Sequence, residues 1–139
     1  MYSKIMAPVD LAHTDQLERA LEITADLAKR YGASVVYTGV TTTTPGPAAH
    51  SPEEFRRKLQ AFADAQATKY GVNAEAHAIL SHDPAVDLDS VLLAAIDETG
   101  ADLVVMASHI PGVMEYVWGS NGGRVAVHAK VSVFIVRPA

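Results

Sequence analysis

The chain has 139 residues, no cysteine and a net charge of −5, and 49% of it is apolar. That length predicts one domain, residues 1–139, with a sizeable core. The acidic balance excludes a nucleic-acid partner held by clustered Lys and Arg, and the missing thiols exclude disulfide staples, thiol catalysis and thiolate metal sites.

No apolar run approaches the roughly 18 residues of a membrane span. The opening MYSKIMAPVD is too short in its apolar part for a signal peptide and reads as a first strand. The expectation is a soluble, cytoplasmic protein.

In chain order, Ile5-Met6-Ala7-Pro8-Val9 is a short apolar run that ends at Asp10 and reads as strand 1. Leu17, Ala20, Leu21, Thr24, Leu27, Ala28 and Tyr31 then keep one face apolar at the helical period, and Gly32 suits the residue after a helix. Ser34 to Val40 is rich in β-branched residues and reads as strand 2. Thr41 to Ala49 (TTTTPGPAA) reads as a loop. Ser51-Pro52-Glu53-Glu54 opens a second helix: Ser51 caps it, Pro52 fits its first position and Glu54 completes a capping box. Phe55, Leu59, Phe62, Gln66 and Tyr70 trace its inner face, and Gly71 ends it. Ala74 to Leu80 alternates and reads as strand 3. Asp83-Pro84 begins a third helix, with Leu88, Val91, Leu92, Ala95, Ile96 and Thr99 on one face and Gly100 at its end. Asp102 to Met106 is strand 4, Asn121 to Lys130 a short helix, and Val131 to Val136 strand 5.

Strands alternate with helices throughout. Strands 1, 2, 4 and 5 are apolar along their length, which predicts cover on both faces, as in a parallel sheet between helical layers. Right-handed crossovers then favour an α/β, three-layer doubly wound domain with a five-stranded parallel sheet in order 3-2-1-4-5. Its switch point lies between strands 1 and 4, where ligands bind at the strands' carboxyl ends. Pro8-Val9-Asp10 and Met106-Ala107-Ser108-His109 build that point.

No Gly-x-x-x-x-Gly-Lys-Ser/Thr loop, no Gly-x-Gly-x-x-Gly after strand 1 and no Gly-x-Ser-x-Gly elbow occurs. What remains is Gly119-Ser120-Asn121-Gly122-Gly123 before a helix. Free N–H groups and the helix dipole there attract an anion without lysine; the same residues equally suit a flexible helix entry. Asp10 fits a carboxylate that accepts from ribose hydroxyls or helps to hold a metal, and fits an N-cap as well. His109 suits a phosphate contact or a base, or a hydrogen-bonded loop residue. His13, His50, His77, His82 and His128 show no metal-ligand spacing. Tyr116 and Trp118 suit packing at a turn or interface.

The whole chain resembles the universal stress protein family. The resemblance rests on KIMAPVD, DLVVMASH, PGVMEYVWGSN and RVAVHAKVSVFIVRP. It implies the family's five-stranded fold in order 3-2-1-4-5, the adenine nucleotide alpha hydrolase-like architecture. It also implies binding of ATP or AMP, with Mg²⁺ shared by the phosphates. Little or no turnover is expected, because no residue has the look of a dedicated general base beside a water site. Nucleotide-binding members carry Gly-x2-Gly-x9-Gly-Ser/Thr after strand 4. Here Gly119-Ser120 fits the last element, the first glycine falls on Ala107 and the second near Ile110, and the interval is one residue short. The Ser-His-x-Pro loop at Ser108 resembles a sub-group close to the ATP-binding branch. By this resemblance Pro8, Val9 and Asp10 line the adenosine side, and Gly39 and Val40 contact adenine. Met106, Ala107, Ser108, His109 and Gly112 form the pocket floor and loop, and Gly119, Ser120 and Asn121 hold phosphates.

The family also dimerises through its last strand. Val131 to Val136 is apolar and free of proline, and a bare edge of that kind aggregates. Antiparallel pairing with a second copy satisfies it. Two other readings stand beside a nucleotide-binding regulator. One is a nucleotide-free dimeric interaction protein of the same fold, and the other a small hydrolase using His109 and Asp10.

Overall fold

The computed structural model describes residues 1–108 and 121–137, with the backbone alone at 84–87 and 121–123. Five strands, β1 (Lys4–Pro8), β2 (Ser34–Thr41), β3 (Ala74–Leu80), β4 (Leu103–Ala107) and β5 (Ser132–Val136), alternate with four helices. These are α1 (Glu18–Tyr31), α2 (Pro52–Tyr70), α3 (Pro84–Thr99) and α4 (Asn121–His128). The strands form one sheet in the order β3-β2-β1-β4-β5, and every pairing is parallel. The sheet order is the one expected from the alternation of elements.

The helix ends follow from local chemistry. Ser51 Oγ accepts from the Glu54 N–H at 3.1 Å, and Pro52 follows at the start of α2. Gly32, Gly71 and Gly100 close α1, α2 and α3 with φ of 65°, 67° and 74°, a left-handed turn that a side chain would strain. Asp83 precedes α3 but makes no side-chain capping bond, so Pro84 with its fixed φ is the start signal there. A 3₁₀ segment, Leu11–Leu17, precedes α1 and kinks at His13 (φ −137°, ψ 39°).

The core lies on both sides of the inner strands. Ile5, Met6, Val35, Val36, Tyr37, Val104 and Val105 are buried from the sheet, and Leu21, Leu59, Leu88 and Leu92 from the helices. Right-handed crossovers put α1 and α2 on one face and α3 and α4 on the other, and α3 and α4 pack on one another. β5 departs from the expectation of cover on both faces: Phe134 is 43% exposed. The reason is its position at the sheet edge, with β4 as its one strand neighbour.

Candidate functional site

β1 pairs with β2 over five residues, Lys4 to Pro8, but with β4 over two, Ile5 with Leu103 and Met6 with Val104. Beyond Met6 the strands turn to their outer neighbours. The Val9 N–H donates to Thr38 O at 2.8 Å, and the Ser108 N–H to Val136 O at 2.8 Å. The sheet therefore opens between the carboxyl ends of β1 and β4, the switch point where doubly wound folds hold ligands.

On the β1 side, Pro8 and Val9 are buried and bring Asp10 to the opening. Asp10 Oδ1 accepts from the Ala12 N–H at 3.0 Å, and Oδ2 lies 3.0 Å from His13 Nδ1. The carboxylate thus caps the 3₁₀ segment and is fixed in direction by both its oxygens. Asp10 and His13 also line a cleft of about 210 Å³ at the carboxyl ends of β1 and β2.

The other walls of that cleft are Val40 to Thr42 and Thr44 at and beyond the end of β2, Gly46 to Ala49 in the following loop, Phe55 of α2 and Leu88 of α3. The loop is held in place by its own bonds. Gly46 N–H donates to Ala49 O at 3.0 Å, Thr42 Oγ1 donates to Thr44 O at 3.1 Å, and Lys58 Nζ reaches Ala48 O at 2.9 Å. Lys58 also pairs with Glu54 at 3.0 Å, and this contact holds the Glu54 carboxyl below its ordinary range. Apolar walls, threonine hydroxyls and one carboxylate make a cleft suited to a flat ring that carries hydroxyl groups. Gly39 does not line it. A Cβ at Gly39 would lie 2.7 Å from Phe55 Cζ, so this glycine lets α2 approach β2 and sets the position of the Phe55 wall.

On the β4 side, Met106, Ala107 and Ser108 are buried. The Ser108 hydroxyl is enclosed without a hydrogen-bond partner. Asn121 opens α4, while His109, Gly112, Gly119 and Ser120 lie outside the described residues. Of the residues singled out in the sequence, the structure brings Asp10 and Val40 together in the cleft and sets Met106, Ala107 and Ser108 at the end of the strand beside β1. Phe55, Leu88, His13 and the threonine loop are walls that sequence reasoning missed. Phe55 and Leu88 carry only the signal of helix inner faces, and the loop carries none. Among the described residues no three His, Asp or Glu side chains gather as metal ligands.

The sequence model of the universal stress protein family (Usp) matches residues 1–137. The chain belongs to the universal stress protein family. It is 26% identical to universal stress protein G of Shigella flexneri, over 99% of this chain and all of that one. Among solved structures it is similar to a universal stress protein family member from Burkholderia pseudomallei, at 25% identity and a TM-score of 0.70, covering 99% and 97% of the two chains. It is also similar to the universal stress protein of Archaeoglobus fulgidus in complex with dAMP (24%, TM-score 0.65, 96% and 97% covered). A third is a family protein from Arabidopsis thaliana with AMP bound (19%, TM-score 0.63, 99% and 92% covered). The sheet order and the helical layers are those of this family, and no helix among the described residues is long and apolar enough to cross a membrane.

Proposed function

We propose that this single-domain universal stress protein binds ATP or AMP in the cytoplasm and acts as a regulatory stress-response protein with little or no turnover. The observation that carries this reading is the parting of β1 from β4 beside a cleft of about 210 Å³ that holds Asp10 and Val40. Family members with dAMP and AMP bound support the choice of ligand. Adenine packs against Val40 and the Phe55 wall, and the Asp10 carboxylate accepts from the ribose hydroxyls. Pro8 and Val9 hold that carboxylate at the opening, and Gly39 acts through Phe55. Met106, Ala107, Ser108, His109 and Gly112 form the floor and loop, and Gly119, Ser120 and Asn121 hold phosphates at the start of α4. Mg²⁺ is shared by the phosphates. The bound form is a homodimer joined along β5, within Val131 to Val136.

Calorimetric titration with ATP-Mg²⁺ and AMP tests the reading. Saturable binding is expected, lost in Val40→Trp, which fills the cleft, and in Gly119→Trp, which crowds the phosphates. Absence of binding by the wild-type protein, with no nucleotide released on denaturation, would favour a nucleotide-free interaction protein. Ile110 in the second glycine position of the family's loop is the sequence feature that favours that second reading.

A further inference from the structure

A second, smaller pocket lies at the carboxyl ends of β4 and β5, against the start of α1. Ala107, Ser108, Val136, Arg137, Gln16 and Arg19 enclose about 30 Å³ there. That is room for about one or two water-sized atoms. Ser108 is only 7% exposed, and its hydroxyl has no hydrogen-bond partner. Buried hydroxyls are nearly always bonded, and one that is not destabilises the fold unless something else supplies the acceptor. The backbone of Ser108 is fixed by its bond to Val136 O, so the residue stays at the pocket wall.

The charge around that hydroxyl is unbalanced. Arg19 and Arg137 both line this one small pocket, and among the described residues neither has a carboxylate within ion-pair distance. Their forked donors match the oxygens of a phosphoryl group, and a hydroxyl donor completes a third direction. A tetrahedral oxyanion accepts from three directions at once; a planar carboxylate does so less well. The pocket has room for one such oxygen, with the rest of the group outside between the arginines.

We infer that Ser108, Arg19 and Arg137 form an oxyanion site that takes one phosphoryl group. β2 and β4 are two strand spacings apart, about 10 Å, so a nucleotide with its ring at Val40 reaches the site with its phosphates. In that form the inference rests on the nucleotide reading above; with free orthophosphate as the source it stands alone.

The test is calorimetric titration of the wild-type protein, Arg19→Gln, Arg137→Gln, the double variant and Ser108→Ala with ATP, AMP, adenosine and orthophosphate. Both arginines are exposed, so their variants keep the fold, which circular dichroism checks. Affinity for ATP is expected to fall about tenfold for each arginine and severalfold for Ser108→Ala, with adenosine unchanged. Unchanged ATP and AMP affinity in the double variant overturns the site and leaves the nucleotide reading intact. If the wild-type protein binds orthophosphate but no nucleotide, and the double variant binds neither, the site stands and the nucleotide reading fails. Binding of no phosphate compound by the wild-type protein overturns both.

Discussion

Tyr37 carries a fully buried hydroxyl with no hydrogen-bond partner, and burial pushes its pKa up. Its ring packs edge-on to Phe62 at 5.3 Å, so the ring is held and the oxygen is not. Removing that oxygen in Tyr37→Phe is expected to leave stability unchanged or raise it by about 1 kcal/mol, read from urea unfolding. A clear loss would mean that the hydroxyl is bonded in solution. Ser108 is an orphan of another kind, because it faces a pocket edged by arginines. Gly39 shows how one missing Cβ shapes a site. Its φ is not in the left-handed region, so the need is for space alone. In Gly39→Ala the new Cβ meets Phe55 Cζ at 2.7 Å and must displace this ring, which is a wall of the cleft. The expected cost is about 1–3 kcal/mol of stability, together with weaker nucleotide binding. Gly39→Ala combined with Phe55→Leu should recover part of the stability, measured as a double-mutant cycle. Additive losses would show that the two positions do not compete for that space.

At the scale of elements, β1 and β4 are clamped at one end and open at the other. Asp102 accepts from the Ser3 N–H and hydroxyl and from the Lys4 N–H, at 2.9 to 3.2 Å. Desolvation pushes its carboxyl up, but the Lys4 and Ser3 donors together outweigh this and hold it below the ordinary 3.8. The folded-state pKa is lowered, so the stabilisation is present above 3.8 and is lost as pH falls through the lower folded value. Asp102→Ala is expected to cost about 1 kcal/mol near neutral pH, a figure discounted for solvent exposure. Its unfolding curve should converge on that of the wild-type protein in acid. A difference that persists at pH 2.5 would assign the effect to packing instead. Much of this frame was legible in the sequence, because periodicity, Ser51 and three closing glycines mark where helices begin and end. The Leu11–Leu17 segment was not, since a 3₁₀ turn carries no lasting apolar period. Asp10 could be read as a cap or as a ligand residue because one carboxylate position serves both. The cleft walls beyond Val40 arise only when the Thr41 to Ala49 loop folds against Phe55, a tertiary event without a local code. An apolar strand such as β5 records that it is covered, but not whether a helix or another chain covers it.

For the whole molecule that last ambiguity becomes a prediction. β3 and β5 are the two edges of the sheet, and they are not alike. β3 carries Glu75, paired with Lys4 at 3.0 Å, and a polar His77, so a charge and a second polar side chain sit on that edge strand. β5 reads Ser-Val-Phe-Ile-Val, with no charge or proline to blunt it. Phe134 is 43% exposed on it, and Val127 is 77% exposed on α4, which packs against β5. A second copy pairing antiparallel along β5 satisfies the strand's free backbone groups and covers Phe134 by two-fold symmetry. An aromatic anchor at the centre of such an interface is worth about 2 kcal/mol or more. Phe134→Lys places two like charges near the two-fold axis and should raise the dissociation constant by at least about thirtyfold. Sedimentation equilibrium reads this directly: the wild-type protein is expected to be a dimer at micromolar concentration, and Phe134→Lys a monomer. The melting temperature of the wild-type protein should rise with concentration, while that of the variant should not. A monomeric wild-type protein, or a Phe134→Lys variant that dimerises as well, would remove β5 as the interface. The cover for Phe134 would then have to come from a different protein.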